Sequence, residues 1–358
     1  MTKASPRADA TTGAPIRLRR NPRMLFAFAG LGLALVTAAV LLVISGGGGE
    51  DPSKSNGSAS VPAATKLPAD LEWRPIRAAP FRRQYAAATA VDGKVLVFGG
   101  IAGKWSGTAT KVYDPADDTW STGPGLPRPL HHFMAVTYKG NAVVMGGFVP
   151  GDELTSEQSD RVYELRSGTW QELPRLNHPR AAGAAAVVGD KIVVVGGQAD
   201  EKLVSQSEMF DGKRWKDVEE IPTPRDHLGA ASDGRYLYAV GGRDLSSDKN
   251  FGALERYDPV RDSWKKLKSM PTASGSVGAA YVGGRLIAVG GESPTSASNA
   301  VQAYEIQKQA WSRLPNLLSA RHGVAVTALN DDSLYAVGGA ATPGHVQSSQ
   351  EAEVLDFD

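Results

Sequence analysis

The chain has 358 residues, a formal net charge of +1 and no cysteine. Without cysteine there is no disulfide staple, no thiolate chemistry and no lipoprotein anchor. The CxxC, HExxH, GxSxG, P-loop and GxGxxG signatures are all missing, so the common motif-bearing catalysts and nucleotide binders are excluded as far as motifs can do so.

Residues 1–23 carry six basic and one acidic side chain. Of the chain's +1, this segment therefore supplies +5 and the remainder carries −4. A negative remainder argues against a nucleic-acid partner. The basic segment suits a topology signal and a contact for anionic lipid.

Residues 24–44, Met24 to Ile44, contain no charge and a single hydroxyl, Thr37. At 1.5 Å per residue, 21 helical residues span about 31 Å, the thickness of a bilayer core. Arg17, Arg19, Arg20 and Arg23 precede the run, and Glu50 and Asp51 follow its Gly-rich end. Positive charge stays on the cytoplasmic side, so the expectation is one transmembrane helix, N-terminus inside and the rest outside. A cleaved signal peptide is the alternative, but the run is longer than the usual apolar core and no clear small-x-small site follows. Gly30, Ala34 and Ala38 form a small-xxx-small ladder that an Ala-rich span also produces by chance. Residues 45–70 are rich in Gly, Ser, Pro and Ala and read as a flexible tether.

From residue 71 onward one unit is copied six times, about 48 residues each. A glycine pair marks every copy: Gly99-Gly100, Gly146-Gly147, Gly196-Gly197, Gly241-Gly242, Gly290-Gly291 and Gly338-Gly339. A tryptophan lies 26 residues upstream of the first five pairs (Trp73, Trp120, Trp170, Trp215, Trp264), and Trp311 lies 27 before the sixth. A fixed period of this size means a repeat architecture. In the first copy Tyr85 to Val91 reads as an Ala-rich strand, Asp92-Gly93 as a two-residue hairpin turn, and Val95 to Phe98 as a β-branched and aromatic strand. Val112-Tyr113 and Trp120 fall on two more strands joined through the Asp114-Pro115 turn. Four short antiparallel strands per copy make a propeller blade. Alanines such as Ala86–Ala88 and Ala184–Ala186 fit the crowded axis. The glycine pairs permit positive φ, and Tyr113/Trp120 and their counterparts fill the wedge between blades. Acidic pairs such as Asp117-Asp118 are explained by the turns they occupy.

The double glycine, the aromatic-Asp, the Trp and the Pro-Arg that opens the next unit (Pro179-Arg180, Pro224-Arg225) resemble the kelch repeat family across residues 71–358. The resemblance implies an all-β, six-bladed β-propeller of four-stranded antiparallel blades. Departures from the pattern are Leu355 at an aromatic position, Ser274 where Arg is expected, and Leu130 at the same place after Trp120. The last copy ends without a Trp of its own, while Trp73 precedes the first. Leu71–Ile76 is therefore expected to supply the fourth strand of the sixth blade, which closes the ring and removes its open edges.

Propellers bind at the rim of the channel. One register, eleven residues after each Trp, holds Gln84, His131, Ala181, Asp226, Gly275 and His322; in peptide-binding kelch proteins the matching position commonly faces the channel mouth. The residue after each glycine pair gives Ile101, Phe148, Gln198, Arg243, Glu292 and Ala340, which the resemblance places on the same face. The candidate ligand-binding set is thus Gln84, His131, Asp226, His322, Phe148, Gln198, Arg243 and Glu292, with Trp105 on the loop beyond. Arg243 suits a carboxylate and Phe148 an apolar face; the plainer alternative has Arg243 and Glu292 as solvated residues bridging two blades. His131, Asp226 and His322 occupy alternate blades, a two-histidine, one-carboxylate set able to hold a metal if the strands start near enough to the axis. Ordinary rim hydrogen bonds are the expected role instead, and no metal or cofactor is assigned. His132 and His227 are expected to point the other way and pack.

The expected function is a membrane-anchored, extracytoplasmic binding module recognising a protein or glycan partner, without catalysis. The alternative is an extracytoplasmic enzyme of the acidic-sugar epimerase or mutarotase type, which the resemblance allows. Kelch-bladed copper oxidases depend on a cysteine cross-linked to tyrosine, which this chain cannot form. No BTB or F-box segment is seen before the repeats, which disfavours a ubiquitin-ligase adaptor. Fold alone does not decide among these.

Overall fold

Six equivalent sheets answer the six-fold repeat. The structure, a computed structural model, describes residues 63–103, 105–150, 156–344 and 347–358. The basic segment, the apolar span 24–44 and most of the tether lie outside the described residues. Among the described residues no helix is long and apolar enough to cross a membrane.

Each blade is a four-stranded antiparallel meander. Blade one runs Ala87–Val91, Lys94–Phe98, Thr110–Asp114 and Thr119–Gly123. Blade six takes its first three strands from the C-terminus and its fourth, Trp73–Pro75, from the other end of the propeller. The register there sets Trp73 opposite Leu355, which is the closure expected from the tryptophan spacing. Second strands such as Lys191–Val195 read as continuous apolar runs because both faces are covered by neighbouring blades.

Three concentric circuits of hydrogen bonds tie each blade to the next. On the outside, each Trp indole donates to a carbonyl four residues beyond the Trp of the preceding blade: Trp73 to Pro315 at 2.9 Å, Trp120 to Arg77 at 2.8 Å, Trp215 to Pro174 at 2.8 Å, and likewise for the other three. Nearer the axis, the second glycine of each pair donates its N–H to the residue that opens the next blade, as Gly197 does to Arg225 at 2.9 Å. This approach explains the double glycine. Both residues have positive φ, and a Cβ on Gly196 would lie 2.6 Å from the Arg225 carbonyl oxygen.

The third circuit is at the axis. Tyr85, His132, Ala182, His227, Ser276 and Gly323, one per blade, all adopt the left-handed conformation at φ between 51° and 56°. The N–H of each donates to the carbonyl of its counterpart one blade back, at 2.7–3.1 Å, and the Tyr85 N–H closes the circle on Gly323. The first strand of blade one therefore starts at Ala87 and not at Tyr85, where the chain turns inward. Past this circle the channel widens toward the Asp92-Gly93 end into a cavity of about 410 Å³, lined by small residues including Ala88, Thr89, Thr137, Ala186 and Ala231.

The stretch read from sequence as tether already touches the propeller at its described end. Thr65 donates its N–H to Gly283 at 3.1 Å, buried Arg285 donates to the Thr65 carbonyl at 2.7 Å, and Leu67 packs against the core between blades five and six.

Candidate functional site

The two rim registers are joined blade by blade. Gln84 bridges Ile101, His131 bridges Phe148, Ala181 bridges Gln198, Asp226 bridges Arg243, Gly275 bridges Glu292 and His322 bridges Ala340. Both registers therefore lie at the Gly-Gly end of the channel, in one layer just outside the axial circle. Within that layer Gln84, His131, Asp226, Glu292 and His322 are buried, while Phe148, Gln198 and Arg243 remain partly exposed.

Charge concentrates on blades four and five. The Arg243 guanidinium sits between two carboxylates, 2.5 Å from Glu292 Oε1 and 3.7 Å from Asp226 Oδ2. Glu292 also accepts from Ser276 Oγ at 2.7 Å. Asp226 accepts from the Leu245 N–H at 3.0 Å and from Gln198 Nε2 at 3.3 Å, and lies 2.6 Å from His227 Nδ1. Arg243 Nη2, which can only donate, is 3.1 Å from His227 Nε2. The acceptor at Nε2 fixes the tautomer: the proton is on Nδ1, facing Asp226. Burial in turn pushes the His227 pKa below its ordinary value, with the Asp226 bond opposing and the Arg243 charge adding to the fall. The imidazole is neutral in the folded state.

Aromatic rings complete the centre. Tyr85 stacks on His132 with centroids 3.6 Å apart, and His132 meets His227 edge-on at 5.0 Å. The Tyr85 hydroxyl lies 3.0 Å from His322 Nδ1 and 3.2 Å from Ser276 Oγ. Its pKa is raised by burial and by the nearby Glu292 charge, so it stays a phenol. Gly323 leaves room for this ring, since a Cβ there would come within 2.9 Å of Tyr85 carbons.

The expectation that His132 and His227 pack away from the axis is corrected: they are its central side chains, with Tyr85 and Ser276. Strict strand alternation sends consecutive side chains to opposite sides, but a residue in the left-handed conformation breaks the alternation and turns its own side chain to the axis. The sequence held one clue, the small residues Ala182, Ser276 and Gly323 at the same register. The histidine–aspartate metal set does not converge either. His131 Nδ1 is 2.5 Å from His132 Nδ1, Asp226 faces His227, and His322 faces Tyr85 and the Thr342 carbonyl. Among the described residues no group of three or more His, Asp or Glu is placed to hold a metal ion. The bridging role weighed for Arg243 and Glu292 is what the structure shows, although the pair is buried more than solvated.

Around this centre stand short rim hairpins. Blades one to four carry Ile101–Ala102 with Trp105–Ser106, Phe148–Pro150 with Ser156–Gln158, Gln198–Ala199 with Lys202–Leu203, and Arg243–Asp244 with Ser246–Asn250. Blades five and six have single bridges at Glu292–Ala297 and Ala340–Ser348. The side chain of Trp105 lies outside the described residues. Leu245, in a left-handed conformation at φ 59°, is an exposed large apolar side chain beside Arg243.

Family models for the KLHDC2/KLHL20/DRC7 Kelch-repeats domain and for the Kelch motif match residues 185–358 and 82–127. The chain belongs to the kelch-repeat family. This kelch propeller is 25% identical to alpha-scruin of Limulus polyphemus over 296 residues, covering 75% of this chain and 32% of that protein. It is 27% identical to Kelch-like protein terF of Aspergillus terreus, covering 54% of this chain and 47% of that one. The chain thus spans about a third to a half of the length of these curated relatives. The solved structure of YjhT superposes with a TM-score of 0.68 at 17% identity, over 77% of this chain and 95% of that one, a likeness of fold.

Proposed function

We propose that this kelch propeller is a non-catalytic binding module that takes a protein or glycan partner at the Gly-Gly end of its channel. One observation carries it: a buried centre linked by hydrogen bonds and ion pairs is surrounded by an uneven rim that leaves Arg243, Phe148, Gln198 and Leu245 partly or fully exposed. Kelch propellers are typically protein-binding modules, and an exposed apolar anchor beside a held arginine is the chemistry of an interaction hot spot. The buried Asp226 and Glu292 hold Arg243 and the blade-four hairpin in place. Tyr85, His322 and Glu292 form a group able to move protons, which favours the sugar-modifying alternative. His322 and Glu292 are 0% and 3% exposed, however, and a substrate at the rim would meet neither.

The apolar span 24–44 supports membrane anchoring with the propeller extracytoplasmic. Alkaline extraction of membranes from cells making the full chain is expected to leave it in the pellet. Release into the supernatant, with an N-terminus beyond residue 44, would remove the anchor. For the binding site, the full chain is screened on peptide and glycan arrays. Leu245→Ala and Phe148→Ala are expected to weaken each hit without lowering the melting temperature, and unchanged binding in both would remove the site from this rim.

A further inference from the structure

Five blades fill the same two internal places in one of three chemistries, ionic in three of them, neutral polar in one and apolar in one. Arg180, Arg225 and Arg321 open blades three, four and six; their guanidinium groups donate to the first glycine carbonyl of the blade's own pair, at 2.9, 2.6 and 2.8 Å. Each also meets a buried glutamate of the third strand: Glu208 and Glu255 at 2.7 Å, and Glu353. In blade five the same two places hold Ser274 and Gln302, neutral and buried, with Gln302 bonded to the Thr272 backbone. In blade two they hold Leu130 and Tyr163, which share one apolar cluster.

Blade one is the exception. Arg83 donates to the Gly99 carbonyl at 3.0 Å, just as its counterparts do. The glutamate position, opposite Val97, is Lys111, whose Nζ turns away to Thr122 Oγ1 at 2.7 Å. Arg83 forms no ion pair among the described residues, and desolvation alone moves its pKa, downward. The three paired arginines are 0% exposed, whereas Arg83 and Lys111 are both partly exposed. Gly107 leaves space for the Arg83 guanidinium, since a Cβ there would lie 1.4 Å from Nη1. A desolvated cation needs a counter-charge, and blades three, four and six show which group fits: a carboxylate reached by a guanidinium that is already held by a glycine carbonyl.

We propose that blade one carries a carboxylate-binding site, formed by Arg83 with Lys111 beside it, that takes a Glu or Asp side chain from an acidic segment of a protein partner. The partner supplies from outside the group that Glu208, Glu255 and Glu353 supply from within. The site lies at the foot of the blade-one rim hairpin, against Gly107, and it does not depend on the function proposed for Arg243 and the residues around it.

The probe is a capped hexaglutamate peptide, titrated against the full chain at low salt, with capped hexaglutamine as the neutral control. Hexaglutamate is expected to bind and hexaglutamine not. Arg83→Gln is expected to weaken binding by about tenfold or more, the scale of a lost close charge pair. Lys111→Glu is the sharper variant: it rebuilds the internal pair, so the melting temperature should rise while hexaglutamate binding disappears. Lys111→Glu binding as tightly as wild type, or no binding by wild type, would overturn the proposal. Loss of binding in Arg243→Ala but not in Arg83→Gln would overturn it too, by placing the peptide at the rim and leaving the proposed rim function intact.

Discussion

Blades two and four have the same backbone and opposite interiors. Where blade four buries Arg225 against Glu255, blade two buries Leu130 near Tyr163. Both opening residues accept the N–H of the preceding blade's second glycine, Gly197 to Arg225 and Gly100 to Leu130, each at 2.9 Å. The inter-blade link is thus a backbone property, and the side-chain pair behind it is exchangeable as a unit. Burial depresses the Arg225 pKa even with Glu255 in contact, so the ionic pair carries a desolvation cost that the apolar pair does not. Half of a pair is another matter.

The largest test breaks the pair. Glu255→Ala leaves a guanidinium buried without its carboxylate and is expected to cost about 3–5 kcal/mol in denaturant titrations. The double variant Arg225→Leu, Glu255→Tyr, which copies blade two, should return to within about 2 kcal/mol of wild type. A double variant as unstable as the single one would show that blade four cannot use the apolar solution.

A second test separates backbone from side chain. Gly196→Ala pushes a Cβ to 2.6 Å from the Arg225 carbonyl oxygen at φ +61°, and about 2–3 kcal/mol of stability should be lost. Gly140 has φ +80° with nothing within 4 Å of an added Cβ. Gly140→Ala should therefore cost only about 1 kcal/mol, from the strained conformation alone. Equal losses would mean that the inter-blade approach is unimportant.

The smallest effect compares the axial residues of the same two blades. Blade two has His132 beside His131; blade four has His227 beside Asp226, with Arg243, Glu292, Tyr85 and His132 around it. The folded pKa of His227 lies below its ordinary 6.5, so the unfolded chain takes up its proton first. Its contribution is complete above pH 6.5 and is lost as pH falls below that value. Thermal melts of wild type should fall off more steeply below pH 6.5 than those of His227→Gln. Parallel profiles would place the titration elsewhere.

Most of the architecture was legible because tryptophan and glycine recur for reasons of backbone geometry. The Trp73 interval alone located the closing strand, and the glycine pairs marked where blades meet. Departures at Leu130 and Ser274 were visible too, but their compensation at Tyr163 and Gln302 depends on strand register, which the repeat interval does not give. The rim residues were found in the right layer. Their burial was not legible, because exposure depends on how far each strand starts from the axis. The axial position of His132 and His227 escaped for a different reason: a left-handed turn at a histidine has no compositional mark of its own.

The six axial amides all donate in the same rotational sense, each to the blade before it. Head-to-tail links of this kind polarise one another, yet in a closed loop their in-plane dipoles circulate and cancel. A ligand approaching the pore thus feels no pull from that loop sideways. Whatever lateral field remains at the pore comes from the side chains, above all from the contrast between Arg243 on blade four and Phe148 on blade two.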